Sequence, residues 1–389
     1  MKTDFLNEAM KIKEEIISWR RKLHTMPEIG LNLPNTVDFI KKALDEMGIK
    51  YEVIAGGSCI VCLLGKGERC FMLRSDIDGL PIAEETGLEF ASENGCMHAC
   101  GHDMHAATLL GAAKILKEHE NELKGVVKLL FQAGEETFSG AKAAIGCGVM
   151  ENPKVDAAFA MHVFSAVPYG RIIYGSNPMA GVYGFKIKLT GRGGHGSEPE
   201  KCIDPINTGV HIHLALQEIV SRESSPLNPV AITIGKFEAG HAANIIPEYA
   251  ELQGTMRFFD KNTADYIIKR INEVVKSVAE TYRTKAEIEV LSYVPSVKCS
   301  PEFIDEALNS IHEILPDISA VPEFNIMGSE DFAFISDIVP AVYFGMGAAV
   351  DGRDDLPRQH NPKAKFNDEC LSMCSAIYAN VAVNWLANH

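Results

Sequence analysis

The run Met97-His98-Ala99-Cys100-Gly101-His102-Asp103-Met104-His105-Ala106 places a thiol, three imidazoles and a carboxylate within ten residues. Three kinds of chemistry compete for it: a metal site, a reactive cysteine, or a polar loop rich in histidine. Cys100 and His102 stand two apart and cannot share a helical face, but a tight turn through Gly101 can aim both at one ion. From Met104 the apolar residues Ala106, Leu109, Leu110, Ala113 and Leu116 recur at helical spacing, with Asp103 expected as the N-cap. A thiolate at the mouth of a helix gains from the dipole as well as from a cation. Cys-x-His alone is a weak signal, and its weight comes from residues elsewhere in the chain.

Those residues fall where strands finish. Cys70 to Arg74 reads as a strand running into Asp76 and Asp78, Gly125 to Gln132 as one delivering Glu135 and Glu136, and Val155 to Met161 as one ending in His162. His360 follows a further strand, Ala341 to Gly345. Cys100, His102, Glu136, His162 and His360 fit a two-metal hydrolytic centre, with Cys100 bridging as thiolate, His102 and His162 on one ion, and Glu136 and His360 on the other. Adjacent residues leaving a strand point in opposite directions. One glutamate can then hold a metal while Glu135 accepts the proton of the attacking water. A glutamate pair can equally cap the next helix. Asp78 is expected to hold an imidazole from behind and fix its tautomer, and Asp76 to make no more than a hydrogen bond to a turn.

The elements that must position these groups alternate. Phe5 to Leu23 and Thr36 to Met47 carry helical stripes, strands follow at Cys59 to Leu64 and Cys70 to Arg74, and helices and strands then succeed one another to about His162. This predicts an α/β fold with a mostly parallel central sheet flanked by helices, and ligands at the C-terminal strand ends. Between 184 and 294 the order becomes β-α-β-β-α-β, the ferredoxin-like α+β plan. We therefore expect a catalytic domain formed by 1–183 and 295–389 and an inserted lid domain at 184–294. Within it, Gly191-Arg192-Gly193-Gly194-His195-Gly196-Ser197 lacks the lysine and context of a phosphate loop. If the insert closes over the metals, His195 and Asn244 can donate to a developing oxyanion and Arg257 can grip a substrate carboxylate.

The 389 residues are 46% hydrophobic and 23% charged with a formal net charge of −15, which disfavours nucleic acid and anionic membranes as partners and favours small molecules. The N-terminus has no apolar core of signal-peptide length, and no run reads as long enough for a membrane span, so a cytoplasmic protein is expected. Ten cysteines are scattered rather than framed as disulfides. Cys59-Ile-Val-Cys62 lies in an apparent strand and reads as core thiols.

Assembled, the chain resembles the amidohydrolase branch of a large co-catalytic metallopeptidase family, the branch of aminoacylases, hippurate hydrolases, N-acetyl-diaminopimelate deacetylases and auxin-conjugate hydrolases. The resemblance spans nearly the whole chain. It rests on Arg20-Arg21-Lys22-Leu23-His24-Thr25-Met26-Pro27-Glu28, Arg74-Ser75-Asp76-Ile77-Asp78-Gly79-Leu80-Pro81, the Met97–His105 run, Phe131-Gln132-Ala133-Gly134-Glu135-Glu136, Gly194-His195-Gly196, Gly328-Ser329-Glu330-Asp331-Phe332 and His360-Asn361-Pro362. It implies Cys100, His102, Glu136, His162 and His360 as ligands of two divalent ions, and Glu135 as general base and acid. It also implies a homodimer through the insert in which His195 reaches the partner's site.

Peptidase relatives carry His-x-Asp and a bridging aspartate where this chain has Asp76-Ile77-Asp78 and Cys100, which favours N-acyl amino acids as substrates. Ala133-Gly134 departs from the Pro-Ala usual before the paired glutamates. Thiolate and imidazole suit zinc, while the resemblance also allows manganese, cobalt or nickel. The rival readings are a metallo-dipeptidase or carboxypeptidase with the same centre, a non-catalytic binding protein for acyl amino acids, and a thiol enzyme acting through Cys100.

Overall fold

The computed structural model describes residues 4–350 and 357–389. They divide into two compact units, one formed by the chain up to Pro178 with Val297–Asn325 and Glu330–His389, the other by Met179–Ser296 with Ile326–Ser329. The first unit contributes strands β1 (Tyr51–Ile54), β2 (Cys59–Gly65), β3 (Cys70–Asp76), β4 (Val126–Gln132), β5 (Ala157–Phe164) and β6 (Arg171–Ile173). The second contributes β7 (Gly181–Thr190), β8 (Gly194–His195), β9 (Val230–Ala239), β10 (Ile245–Ile246), β11 (Tyr249–Phe258) and β12 (Lys285–Val294), after which β13 (Ser319–Val321) and β14 (Ala341–Gly347) belong again to the first.

In the first unit eight strands form one sheet in the order β1-β2-β4-β3-β5-β14-β6-β13. Its centre, β4-β3-β5-β14, is parallel, while β1, β2 and β6 pair antiparallel with their inner neighbours. β3, β4 and β14 are buried at every residue, as parallel strands with both faces covered must be. That is why their runs are continuously apolar and easily recognised. β1, β6 and β13, with three or four residues each, are too short to carry a period and went unrecognised.

One register positions the site. β3 pairs with β5 from Phe71↔Ala157 to Arg74↔Ala160 and then stops, whereas β5 continues to Phe164. His162 therefore lies inside β5, opposite Gly345, and not at a strand end as expected. Beyond the last pair, the Met161 N–H donates to Tyr378 Oη at 3.0 Å and the Val163 N–H to His105 Nε2 at 2.9 Å. Side chains thus take the place of the ladder bonds that end there, because a buried N–H without a partner is costly.

The turn before the helix His102–Glu118 also differs from expectation. Its N-cap is Gly101, at φ +90°, and no side chain caps it. A Cβ at 101 would stand 2.6 Å from Val163 Cγ2, so only glycine fits. Asp103 is drawn elsewhere. Its Oδ2 lies 2.7 Å from Arg20 Nε, an ion pair and not an aligned hydrogen bond, and 2.8 Å from His24 Nδ1. The first stripe is two helices, Phe5–Lys11 and Lys13–His24, broken at Ile12. The helix Cys370–Asn388 corrects the reading of spans: by length and mean hydropathy, 1.3, it could cross a membrane, yet 78% of that window is buried in the unit. Its Asn380 amide donates to Ser310 O at 2.6 Å and Ser375 Oγ to Thr108 O at 3.0 Å, contacts of a core helix.

The second unit holds an antiparallel sheet in the order β12-β7-β11-β9. This is the ferredoxin-like arrangement: β7 and β9 run the same way, split by β11 between them. The helix Lys261–Thr281 buries Ala264, Ile267, Ile271, Val275 and Ala279, every third or fourth residue, against Phe185, Ile187, Leu252 and Met256 of the sheet.

Arg20 and Asp103 are both fully buried, so removing Arg20 leaves a buried carboxylate with His24 as its remaining partner. Arg20→Met should lower stability by about 3–5 kcal/mol, read as a urea midpoint shift, whereas Lys41→Met at the exposed Asp38 pair should leave the midpoint essentially where it is. Burial raises the Asp103 carboxyl, but Arg20 and His24 outweigh it and hold it well below the usual range. Its contribution is therefore present above the unfolded value of about 3.9 and is lost as the pH falls below it. The stability gap between wild type and Asp103→Asn should narrow as the pH is lowered from about 5 to about 3.

Candidate metal centre

Five side chains converge in the first unit. Ligand-capable atoms of Cys100, His102 and His162 lie within 4.8 Å of one another, and so do those of Cys100, Glu136 and His360, with Cys100 common to both groups. His162 Nε2 is 3.3 Å from Cys100 Sγ, His360 Nε2 is 3.4 Å from Glu136 Oε1, and His102 Nε2 is 3.9 Å from Glu136 Oε1. Donors bound to one tetrahedral ion at about 2.0–2.3 Å stand roughly 3.3–3.8 Å apart, so this is the spacing of donor shells. Among the described residues His102 Nε2 and Glu136 Oε1 are buried without a hydrogen-bond partner. Such atoms are costly unless a cation meets them.

The tautomers agree with that fit. His162 Nδ1 donates to Val163 O at 2.7 Å, and His102 Nδ1 donates to Asp78 Oδ1 at 3.3 Å, which turns both Nε2 atoms toward the donor groups. Against burial, Asp76 and Cys100 hold His102 well above the usual imidazole range, a field that a bound cation would answer in place of the proton. Burial, with His105 beside it, holds His162 well below the usual imidazole range and keeps it neutral. Burial, with Glu136, pushes the Cys100 thiol up, so a cation is needed to hold it as thiolate. Hydrogen bonding to Cys100 and Glu136 pushes the half-exposed His360 up to about 10. The donor set therefore fits two divalent ions sharing a thiolate. His105 is spent elsewhere, its Nδ1 on Asp76 and its Nε2 on Val163. His98 is buried and held down to about 4 by burial.

The paired glutamates are arranged differently from the sequence expectation. β4 ends at Gln132 and the chain turns at Gly134, φ +71°, so strand alternation no longer governs the next two residues. The N–H groups of Glu135 and Glu136 both donate to the Asp78 carboxylate, at 3.2 and 3.1 Å. Both carboxylates then approach one imidazole, 4.0 and 3.9 Å from His102 Nε2. Burial, with the like charges of Glu330 and Glu136, pushes the Glu135 carboxyl well above the usual range, which suits a group that must accept a proton at neutral pH.

Asp76 corrects a second expectation. It bonds no turn but sits in a buried charge network that sequence reasoning missed. Arg74, fully buried, donates to Asp76 Oδ2 at 2.7 Å, Glu330 Oε1 at 2.9 Å and Asp331 Oδ1 at 2.8 Å. Tyr343 Oη donates to Glu330 at 2.6 Å, and the Gln132 amide and Ala141 N–H each donate to Asp331 at 2.8 Å. Arg74, Glu330 and Asp331 lay inside the quoted motifs. No spacing rule joins an arginine to acids 256 and 257 residues further on.

The remaining predicted residues belong to the second unit. His195 on β8 pairs with Ile245 on β10, and the Gly196 N–H donates to Asn244 O at 2.8 Å, so His195 and Asn244 are neighbours. The Ser197 N–H donates to His195 Nδ1 at 3.1 Å, which makes Nε2 the protonated, donating nitrogen of the neutral ring. Arg257 on β11 is half-buried and donates to Ser329 Oγ at 2.6 Å.

The family model described as peptidase family M20/M25/M40 matches residues 72–384. The chain is 34% identical over 384 residues, 95% of its length and 86% of the relative's, to IAA-amino acid hydrolase ILR1-like 4 of Arabidopsis thaliana. It is 34% identical over 373 residues, 95% of its length and 96% of the relative's, to N-acetylcysteine deacetylase of Bacillus subtilis. Among solved structures, the Bacillus subtilis YXEP protein, described as a dinuclear metal binding peptidase, superposes with a TM-score of 0.84 at 30% identity over 98% of this chain and all of that one.

A donor common to both groups has a measurable consequence. Protein stripped with a chelator should be stabilised by zinc or manganese, by about 2.7 kcal/mol at a hundredfold excess over Kd. Cys100→Ala should lose most of that gain in a thermal-shift titration; an undiminished shift would remove Cys100 from the donor set.

Proposed function

The chain belongs to peptidase family M20/M25/M40 and is an amide-cleaving hydrolase, and from that premise we propose that it cleaves N-acyl amino acids into a carboxylate and a free amino acid. The observation that carries the proposal is the pair of donor groups sharing Cys100, with the buried Glu135 carboxylate against the same imidazole. Divalent ions held by Cys100, His102, Glu136, His162 and His360 would polarise the scissile carbonyl and lower the pKa of water to about 7.

The chain's own groups do the rest. Glu135, with its raised proton affinity, takes the proton of the attacking water and delivers it to the leaving nitrogen, so the amine departs neutral. Asp78 holds the Glu135 and Glu136 backbone and the back of His102. We assign His195, through its Nε2–H, and Asn244 to the oxyanion, and Arg257 to the substrate carboxylate, where it would exchange Ser329 for a charged partner. A homodimer through the second unit is part of this reading, supported by the exposed Val210, Leu214, Val290 and Leu291 of that unit. Ten free cysteines favour a reducing, cytoplasmic setting.

The names of the plant hydrolase and the bacterial deacetylase favour acylated amino acids. The peptidase description of the YXEP protein supports the competing reading, hydrolysis of unblocked peptides at the same centre. Binding alone needs no proton acceptor beside the donor groups, so Glu135 weighs against a non-catalytic protein.

Amino-acid release should be detected from N-acetyl, N-benzoyl or longer N-acyl amino acids with zinc or manganese present, and should vanish on chelation. Cleavage confined to free dipeptides would move the chain to the peptidase reading, and activity surviving chelation would favour a thiol mechanism. Glu135→Gln should lower kcat by about 10²–10⁴-fold with metal content unchanged by elemental analysis. Full turnover in that variant would take Glu135 out of the reaction.

A further inference from the structure

Where β5 outruns β3, its open edge is completed by side chains, and at Val163 this edge meets both donor groups. The Val163 N–H is held by His105. Its carbonyl accepts two hydrogen bonds, from His162 Nδ1 at 2.7 Å and from Gln359 Nε2 at 2.9 Å. Two donors occupy both lone pairs of one carbonyl, which fixes the peptide plane and with it the His162 ring. Gln359 directly precedes His360.

His360 is the least supported of the five candidate ligands. Its side chain is 54% exposed, its φ is +64°, it lies outside any helix or strand, and among the described residues its own backbone is tied by one hydrogen bond, from N–H to Ala99 O at 3.1 Å. The Gln359 amide supplies a second tie, into the buried edge of the central sheet.

We propose that Gln359 is a positioning residue that couples the two donor groups through the Val163 carbonyl, which sets the direction of His162 in one group and, by way of Gln359, the place of His360 in the other. The inference rests on the two-ion reading given above. Hydrogen bonds that orient ligands are commonly worth 10–100-fold in metal affinity. The loss should fall on the His360 group, because His162 is also held by its strand.

The test uses full-length protein stripped of metal and titrated with Co²⁺, following binding stoichiometry and the visible absorption of the cobalt–thiolate chromophore. Gln359→Met keeps the side-chain length and removes the donors; Gln359→Ala serves as a second variant should the first fold poorly. Wild type should take up two equivalents. In either variant one equivalent should bind as in wild type and the other about 10–100-fold more weakly, with an altered spectrum at saturation and an unchanged urea midpoint. Two equivalents at wild-type affinity would overturn the role of Gln359, as would weaker binding that only tracks a fall in the urea midpoint of both variants. Fewer than two equivalents in wild type would overturn the two-ion reading itself, and this inference with it.

Discussion

The cost of burying charge organises the first unit. Arg74 lies inside β3 with essentially no solvent exposure, and its guanidinium answers three carboxylates, Asp76 two residues on and Glu330 and Asp331 far along the chain. An unpaired ion there would be destabilising by several kcal/mol. The end of β3, the turn that carries Glu330 and Asp331, and the Tyr343 hydroxyl therefore lock together or not at all. Asp76, fixed on Arg74, holds His105, and His105 supplies the acceptor that the Val163 N–H lacks once β3 has stopped. The donor groups adjoin this lattice, with Asp76 Oδ2 3.8 Å from His102 Nε2.

The same electrostatics sorts the acids by environment. Asp76 faces Arg74 and two imidazoles and is held well below the usual range against the effect of burial, whereas Glu135 has burial and like-charged neighbours and is driven up. Both are buried carboxylates of the same unit. One is suited to serve as a fixed counter-charge and the other to accept a proton, and the difference lies in their neighbours.

Most of this was legible where the signal was local. Continuous apolar runs identified β2 to β5 and β14, and in β3, β4 and β14 they are continuous because a strand buried on both faces needs no alternation. The change of rhythm after residue 184 identified the ferredoxin-like order, and residue type picked out the side chains that the structure brings together around Cys100. What was not legible depended on partners far along the chain. Asp103 looked like a helix cap until Arg20 and His24 claimed it, and Asp76 looked idle because nothing near it in sequence announces Arg74's other partners. The directions of Glu135 and Glu136 were misjudged because Gly134 takes the chain out of the strand before either is reached. The helix Cys370–Asn388 shows the limit of composition: its apolarity alone does not distinguish a lipid-facing surface from a protein-facing one.

Gly101 has a consequence for how such a chain can vary. Its backbone is left-handed and its Cα faces Val163 at a distance that admits no Cβ. Cys100 and His102 are therefore separated by a hinge that natural substitution cannot widen, stiffen or decorate. Change at the flanking positions alters which donors are offered; change at Gly101 would push directly against the strand that carries His162. A lineage descending from this sequence is free to exchange its metal preference by altering donors, but only on a spacing of two, and a designer seeking to recruit another ion inherits the same fixed ruler.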